Sequence, residues 1–220
     1  MRFPTTFRLA TGLAAAGLLL LAGGCAGALR PKLQLLVDAI SAPDTPKPAG
    51  KSYRLIARKS VVNQAQVQVP VVKACVDAAL SGIGMYEPPA NTAPDYFIEV
   101  GFGVEAGRVD PARRETYLHL SGRDNPGRSN DRPTGTEVWD VRVAVLGVAG
   151  RVETAMPLLA AVAADHLAAD TRVETRIEVS QSDPRIAAVR AGAIKVLESA
   201  APPTPAGGPP AASPLPPAAK

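Results

Sequence analysis

The chain has 220 residues, of which 46% are hydrophobic and 20% are charged. This length and mixture fit one globular domain and exclude a chain that is disordered throughout. A formal net charge of +4 comes without the concentrated basic face and interleaved aromatic residues that nucleic-acid binding requires. We therefore expect no nucleic-acid partner.

The amino terminus has the pattern of an export signal. Arg2 and Arg8 give a positively charged start, and an uncharged apolar run over residues 9–22 follows them. As a helix, that run spans roughly 21 Å, which is short of the ~30 Å hydrocarbon core of a bilayer. The sequence therefore predicts a signal peptide over residues 1–24 rather than a permanent membrane span.

Small residues at positions 22–24 lead directly into Cys25, and this stretch resembles the bacterial lipoprotein signal, Leu-Ala-Gly-Cys in its commonest form. A doubled Gly places Leu21 one position further upstream than in that pattern. The resemblance implies that the chain is cut before Cys25, that the Cys25 thiol is acylated, and that the new amino terminus takes a fatty acid such as palmitate. An ordinary secretory peptide cut near Gly24 or Ala26 is the alternative.

Lipidation at Cys25 would hold the protein to a membrane, because several acyl chains bind far more firmly than one. Ala26, rather than Asp, follows the cysteine, which is similar to lipoproteins sorted to the outer membrane. We expect a protein of the cell envelope, anchored to the outer membrane and facing the periplasm. Cys75 is the one other cysteine, and its helical spacing from Val72 and Val76 predicts a small buried side chain.

Residues 25–51 are predicted to form a tether that contains prolines. A short apolar patch there predicts a turn or two of amphipathic helix, and the prolines that follow it favour an extended segment. The patch consists of Leu33, Leu35, Leu36, Val37 and Ile40, and the prolines are Pro43, Pro46 and Pro48.

Alternation of apolar and polar residues predicts five strands in a domain over residues 52–200. The residues expected to face the core are Tyr53, Leu55 and Ala57; Tyr96, Ile98, Val100, Phe102 and Val104; Thr116, Leu118 and Leu120; Trp139, Val141, Val143 and Val145; and Val173, Thr175, Ile177 and Val179. In the last strand Arg172, Glu174, Arg176 and Glu178 alternate in sign on the other face, which suits an exposed face with a charged neighbour.

Helical spacing of apolar residues predicts three helices. Pro70, Pro157 and the pair Asp183–Pro184 mark their starts, and Gly82 and Gly84 mark the end of the first. Their apolar stripes are Val72, Val76, Ala79 and Leu80; Leu159, Val162, Ala163 and Leu167; and Ile186, Val189, Ala193, Val196 and Leu197.

These elements predict a single α+β domain: a mostly antiparallel sheet of about five strands, with two or three helices packed on one face. Residues 201–220 contain eight prolines and predict a disordered Pro/Ala-rich tail.

A second resemblance covers about 50 residues. A helix ending in Leu80-Ser81-Gly82 is followed by Ile83-Gly84-Met85-Tyr86, and a strand with Asp95, Tyr96 and Phe97 follows a turn rich in Pro and Asn. This is similar to uncharacterised lipoproteins of Gram-negative bacteria that carry a domain of unknown function. The resemblance implies no activity.

Catalytic and metal-binding motifs are sparse. His119 and His166 have no Cys or second His at ligand spacing, so we expect no metal site, no cofactor and no catalytic residue. Paired carboxylates remain an alternative, because distant acids could meet in the fold. The acids considered are Asp95, Glu99, Asp124, Asp131 and Asp140.

The loop over residues 122–136 is a possible binding site for an anionic ligand, because guanidinium groups suit carboxylate or phosphate. Its arginines are Arg123, Arg128 and Arg132. The sequence thus predicts a lipid-anchored envelope protein without enzymatic activity, which binds an envelope protein or glycan or supports an envelope complex. A hydrolase that acts on cell-wall or glycan material with a carboxylate pair is the alternative.

Overall fold

The computed structural model describes residues 32–58, 69–108, 110–146 and 151–200. The predicted signal peptide, Cys25 and the predicted tail at 201–220 lie outside these residues. The strands are β1 (Lys32–Ser41), β2 (Tyr53–Ala57), β3 (Tyr96–Ala106), β4 (Arg114–Asp124), β5 (Glu137–Leu146) and β6 (Thr175–Ser180). The helices are α1 (Val69–Gly82), α2 (Val152–Asp165) and α3 (Pro184–Ala200).

The six strands form one sheet in the order β2-β3-β4-β5-β1-β6. Strands β2 and β3 are parallel and are joined through α1, whereas every other neighbouring pair is antiparallel. Long strands β3 and β4 pair from Tyr96 opposite Asp124 to Ala106 opposite Arg114. The α+β fold predicted from the sequence is therefore confirmed.

All three helices pack on one face of the sheet, where they share one apolar core with the strands. Helix α2 lies across β3, β4 and β5, and α1 and α3 pack against it and against each other. Trp139 is 2% exposed and Leu118 is fully buried, as the alternation of apolar residues predicts. Cys75 is also buried, at 2% exposed. No helix among the described residues is both long enough and apolar enough to cross a membrane.

The prediction of a tether over residues 25–51 is wrong for residues 32–41. Residues Lys32–Ser41 form β1, which lies inside the sheet with β5 on one side and β6 on the other. Leu35 and Val37 face the core and are fully buried, so the patch is a strand and not an amphipathic helix. A strand buried on both faces reads as a continuous apolar run, which hides the alternation on which the prediction depended. The sheet consequently has six strands rather than five.

Helix α2 begins earlier than predicted. Pro157 lies inside the helix rather than in its first turn, although an internal proline removes a backbone hydrogen bond and typically costs ~3 kcal/mol. The preceding turn buries Val152, Ala155 and Met156, and this burial offsets that cost. Four residues predicted to be buried are exposed: Ala57, Val173, Thr175 and Val196.

Candidate functional site

The face of the sheet opposite the helices carries the polar side chains of the central strands, and we call it the open face. Residues that point to this face alternate with the core residues along each strand. It includes Asp38 of β1; Glu99, Gly101 and Glu105 of β3; Glu115, Tyr117, His119 and Ser121 of β4; and Asp140 and Arg142 of β5.

The middle of the open face holds a hydrogen-bonded group of three side chains. His119 Nε2 lies 2.8 Å and 2.7 Å from the two carboxylate oxygens of Asp140. Arg58 Nη1 lies 2.8 Å from His119 Nδ1. Arg58 Nη1 also lies 3.0 Å from Nε2; with the proton on Nε2, that nitrogen donates to Asp140 and Nδ1 is the one that accepts from Arg58. Both ring nitrogens are therefore occupied by neighbouring side chains.

Gly101 allows Arg58 to reach this group. Arg58 extends the β2–β3 ladder, because its N–H donates to the Val100 carbonyl at 3.0 Å. A Cβ on Gly101 would lie 3.3 Å from Arg58 Cδ and 3.6 Å from the Cβ of His119. The missing side chain thus leaves a path for the arginine across β3 to β4, which is a frequent reason for glycine inside a strand.

A second set of polar contacts adjoins the first. The Ser121 hydroxyl donates to Glu137 Oε2 at 2.6 Å, and Arg123 Nε lies 3.7 Å from Glu99 Oε1. Ser121 stands directly opposite Glu99 on one side and Asp140 on the other. The serine hydroxyl is held by Glu137 and not by His119, so these side chains do not form a serine nucleophile with its base.

One end of the open face buries a charged group. Glu115 is fully buried, and its Oε1 accepts the Arg108 N–H at 2.9 Å while its Oε2 lies 3.8 Å from Arg142. The Arg142 guanidinium also contacts Glu105 at 2.5 Å and lies 4.3 Å above the centre of the Tyr117 ring. Burial lowers the pKa of Arg142, Arg108 lowers it further, and the two glutamates oppose the shift.

Loops cover both ends of the open face. At the Glu115 end, the turn between β3 and β4 contacts the Glu115 carboxylate, with the Arg108 N–H donating to Glu115 Oε1 at 2.9 Å. At the other end, the Arg54 guanidinium bonds the carbonyls of Ala90, Thr92 and Asn130, at 3.3, 3.1 and 2.5 Å. Between these loops His119 and Asp140 are partly exposed, at 19% and 27%, whereas Ser121 is buried.

The predicted anion-binding loop does not bring its three arginines together. Arg123 belongs to β4 and pairs with Glu99. Arg128 has a φ of 50° and its Nη1 lies 3.0 Å from Asp95. The Arg132 side chain is exposed. Two of the three cations are therefore already matched by a carboxylate, and anion binding at this loop stays a prediction.

The five candidate carboxylates also have separate surroundings. Asp95 accepts the Ser52 N–H and hydroxyl at 2.9 and 2.8 Å. Burial raises the pKa of Asp95, but these hydrogen bonds and Arg128 outweigh it and lower the pKa overall. Asp124 packs against Gly135, where a Cβ would clash with its carboxylate, and Asp131 is exposed. Of the five, Glu99 and Asp140 share the open face.

The role of Arg58 and the pairing of His119 with Asp140 were not predicted from the sequence. The signal available was the polar face of two successive strands, which an antiparallel pairing brings together. Arg58 could not be found in that way, because it follows β2, whose position beside β3 depends on the α1 crossover.

Comparisons with known proteins give weak structural similarity. No family model matches the chain, and no curated protein matches it. A PelC dodecamer from Paraburkholderia phytofirmans is similar at a TM-score of 0.41 and 14% identity, over 62% of this chain and 99% of that chain. A variant of that dodecamer gives 0.40 and 15%, over 61% and 98%.

A PDZ domain protein from Parabacteroides distasonis gives a TM-score of 0.48 and 11% identity, over 69% of this chain and 40% of that chain. At these values none of the three similarities assigns a function to this chain.

Proposed function

We propose that the chain is a lipid-anchored protein of the cell envelope that acts by binding, with Cys25 as the site of the anchor and the open face as the binding surface. The observation that carries the proposal is the open face itself. None of the three described helices packs on it, and it presents side chains that are only partly exposed and are held by one another, such as His119 at 19% and Asp140 at 27%.

The chemistry of the face favours a ligand rich in hydroxyl groups. Cations and carboxylates stand in pairs, including Arg58 with Asp140 at 4.0 Å and Arg123 with Glu99 at 3.7 Å, so a polyanion gains little net attraction. Hydroxyl groups both donate and accept hydrogen bonds and can contact both members of such pairs. A glycan of the cell envelope is a partner with this chemistry.

The internal contacts support binding rather than proton transfer by the same groups. His119 has both ring nitrogens engaged, and the Ser121 hydroxyl donates to Glu137. Side chains fixed in this way are preorganised, which lowers the entropy lost when a ligand is bound.

Glycan binding can be tested with cell-wall sacculi in a co-sedimentation assay. The full chain in detergent micelles should sediment with the sacculi, and Asp140→Asn should weaken binding about tenfold or more, because it replaces the carboxylate that holds His119 and Arg58 with a neutral amide. Lys195→Ala, on the exposed surface of α3, is the matched control and should bind as the parent does. Failure of the parent to bind sacculi, or equal binding by Asp140→Asn, would contradict the proposal.

The anchor is tested separately by membrane fractionation. Cys25→Ser should move the protein from the membrane fraction to the soluble fraction and leave its melting temperature unchanged, because the substitution precedes β1, the first described strand, in the sequence. A Cys25→Ser protein that is still processed and still bound to membranes would contradict lipid anchoring.

One observation favours the alternative, a hydrolase that acts on glycan with two carboxylates. Glu99 and Asp140 are on the same face with Ser121 between them, which places their Cα atoms about 10 Å apart, two strand spacings. Inverting glycosidases separate their carboxyl groups by ~6.5 to 9.5 Å. Release of soluble sugar from the sacculi that stops in both Glu99→Gln and Asp140→Asn would favour the hydrolase over the binding protein.

A further inference from the structure

Strand β6 forms an edge of the sheet. It pairs with β1 on one side, and among the described residues no backbone hydrogen bond joins residues 175–179 to another element on the other side. The opposite edge strand, β2, is partly occupied, because the Tyr53 N–H donates to the Tyr86 carbonyl at 2.9 Å. An open row of backbone donors and acceptors is a template for pairing with another strand.

The side chains of β6 match a second copy of the same strand. Arg176 and Glu178 carry opposite charges and stand on the open face, opposite Leu36 and Gln34 of β1. Both are exposed. Glu178 pairs with Lys32 at 3.3 Å, and Arg176 has no ion pair among the described residues.

Symmetry restricts how two copies of β6 can pair. A two-fold axis perpendicular to the sheet keeps each side chain on its own face, so residues directly opposite each other must belong to the same face. Centring the pair on Ile177 places Arg176 opposite the partner's Glu178 and Glu178 opposite the partner's Arg176. Centring it on Arg176 or on Glu178 would place that residue opposite its own copy and bring like charges together, which destabilises a sheet.

We infer that two copies of the chain associate through β6, antiparallel and centred on Ile177, to form one continuous twelve-stranded sheet. The two Arg–Glu pairs fix the register, and the backbone hydrogen bonds and the contacts of Ile177, Thr175 and Val179 hold the strands together. This inference does not depend on the proposed binding function or on the anchor.

The apolar surface beneath this edge is incompletely covered in one copy. A cavity of about 290 Å³ lies between the sheet and the first turns of α2 and α3, lined by Leu33, Val145, Leu158 and Ile186. It adjoins β6, because Leu33 pairs with Val179. The partner's Thr175 and Val179 would add side chains on this face of the sheet.

Pairing of one short strand buries little surface, so the association should be weak and should depend on concentration. Sedimentation equilibrium of the full chain across roughly 1 to 100 μM protein covers the affinities expected of such an interface. The measurement uses a Cys25→Ser background, which removes the anchor and makes the result independent of lipidation.

Charge reversal tests the register. Arg176→Glu and Glu178→Arg, each alone, place like charges opposite each other twice and should raise the dimer dissociation constant about tenfold or more. The double variant Arg176→Glu/Glu178→Arg restores two unlike pairs and should recover the dimer. Lys195→Glu, on the exposed surface of α3, is the control and should behave as the parent.

Disulfide trapping tests the symmetry axis. In the Cys25→Ser background, Ile177→Cys places two thiols opposite each other with Cα atoms ~4.5 to 5.5 Å apart, a distance that a disulfide can bridge. Ile40→Cys, which is on β1 and 59% exposed, should remain monomeric on a non-reducing gel.

A parent chain that is monomeric at every protein concentration in the sedimentation experiment would overturn the inference. A dimer that is insensitive to both single charge reversals, or is trapped as readily by Ile40→Cys as by Ile177→Cys, would do the same.

Discussion

The contact between Trp139 and Gly122 shows how a large side chain on one strand requires a glycine on the neighbouring strand. The two residues stand opposite each other on β5 and β4, next to a shift in register. The indole ring occupies the space that a side chain on Gly122 would take, since an added Cβ would lie 2.2 Å from Cε2 of Trp139. A glycine is therefore required under the largest side chain of the core.

Replacing Gly122 with alanine should destabilise the protein. The added methyl group forces the ring of Trp139 or the β4 backbone to move, and overpacking of this kind typically costs ~1 to 3 kcal/mol. Chemical denaturation followed by the fluorescence of Trp139 measures the change. Gly82→Ala is the matched control, because a Cβ there meets nothing within 4 Å, and it should be neutral. Equal stability of Gly122→Ala and the parent would contradict the contact.

At the scale of the element, β1 decides how much of the protein belongs to the domain. It contributes fully buried Leu35 and Val37 to the core, while Ile40 points to the open face and is 59% exposed. The same strand thus offers a buried and an exposed aliphatic residue for comparison.

Truncation at these two positions tests the place of β1 in the sheet. Leu35→Ala should lower the free energy of unfolding by ~2 to 5 kcal/mol, because it leaves a cavity in the core. Ile40→Ala should change it by less than ~0.5 kcal/mol, as is usual for exposed positions. If urea unfolding gives the same small effect for both, residues 32–41 are not a strand of the core.

The sequence predicts strands and helices well where one face is buried and the other is exposed to solvent. Strands β3, β4 and β5 follow the period of two, and α1 and α3 carry stops and caps that can be recognised in the chain. Strand β1 was missed because Leu33, Leu35, Leu36 and Val37 show no alternation, and its pairing with β5 and β6 joins segments that are distant in the sequence. The start of α2 was missed because the internal Pro157 suggested a later first turn.

The candidate site was less predictable for a related reason. The sequence singles out His119 as a histidine and Asp140 as a candidate acid, but their contact depends on the β4–β5 register. Arg58 reaches them across β3, and that placement requires the complete sheet order.

At the scale of the whole molecule, buried ionisable groups make stability depend on pH at the alkaline end. Burial raises the pKa of Cys75 to about 11. Burial and the neighbouring Asp77 raise the pKa of Tyr53 as well. Both groups hold their protons more firmly in the folded protein than in the unfolded chain. Their contribution to the free energy of unfolding is therefore complete below the pKa that each group has in the unfolded chain, and it is lost as the pH rises through the pKa in the folded protein.

The free energy of unfolding should therefore fall between about pH 9 and pH 11, by up to about 3 kcal/mol for Cys75 alone. Cys75→Ala should be less stable than the parent at pH 8, because it loses buried sulfur, but should show a shallower decline with pH. Urea unfolding at four values from pH 8 to pH 11, in the Cys25→Ser background, measures both slopes. Parallel slopes would mean that the buried thiol does not contribute.

The position of β1 has a consequence for the order in which the protein folds. Its partners in the sheet are distant in the sequence: Leu35 stands opposite Val145 and Ile177, which are 110 and 142 residues away. Contacts of such long sequence separation slow folding, because the chain must close a large loop before they form. During synthesis, which proceeds from the amino terminus, the apolar stretch at 33–37 emerges first and has no partner until residue 146 has followed. An unpaired strand of this composition is prone to aggregation, so we expect the nascent chain to be most prone to aggregate in the interval between the synthesis of β1 and that of β5.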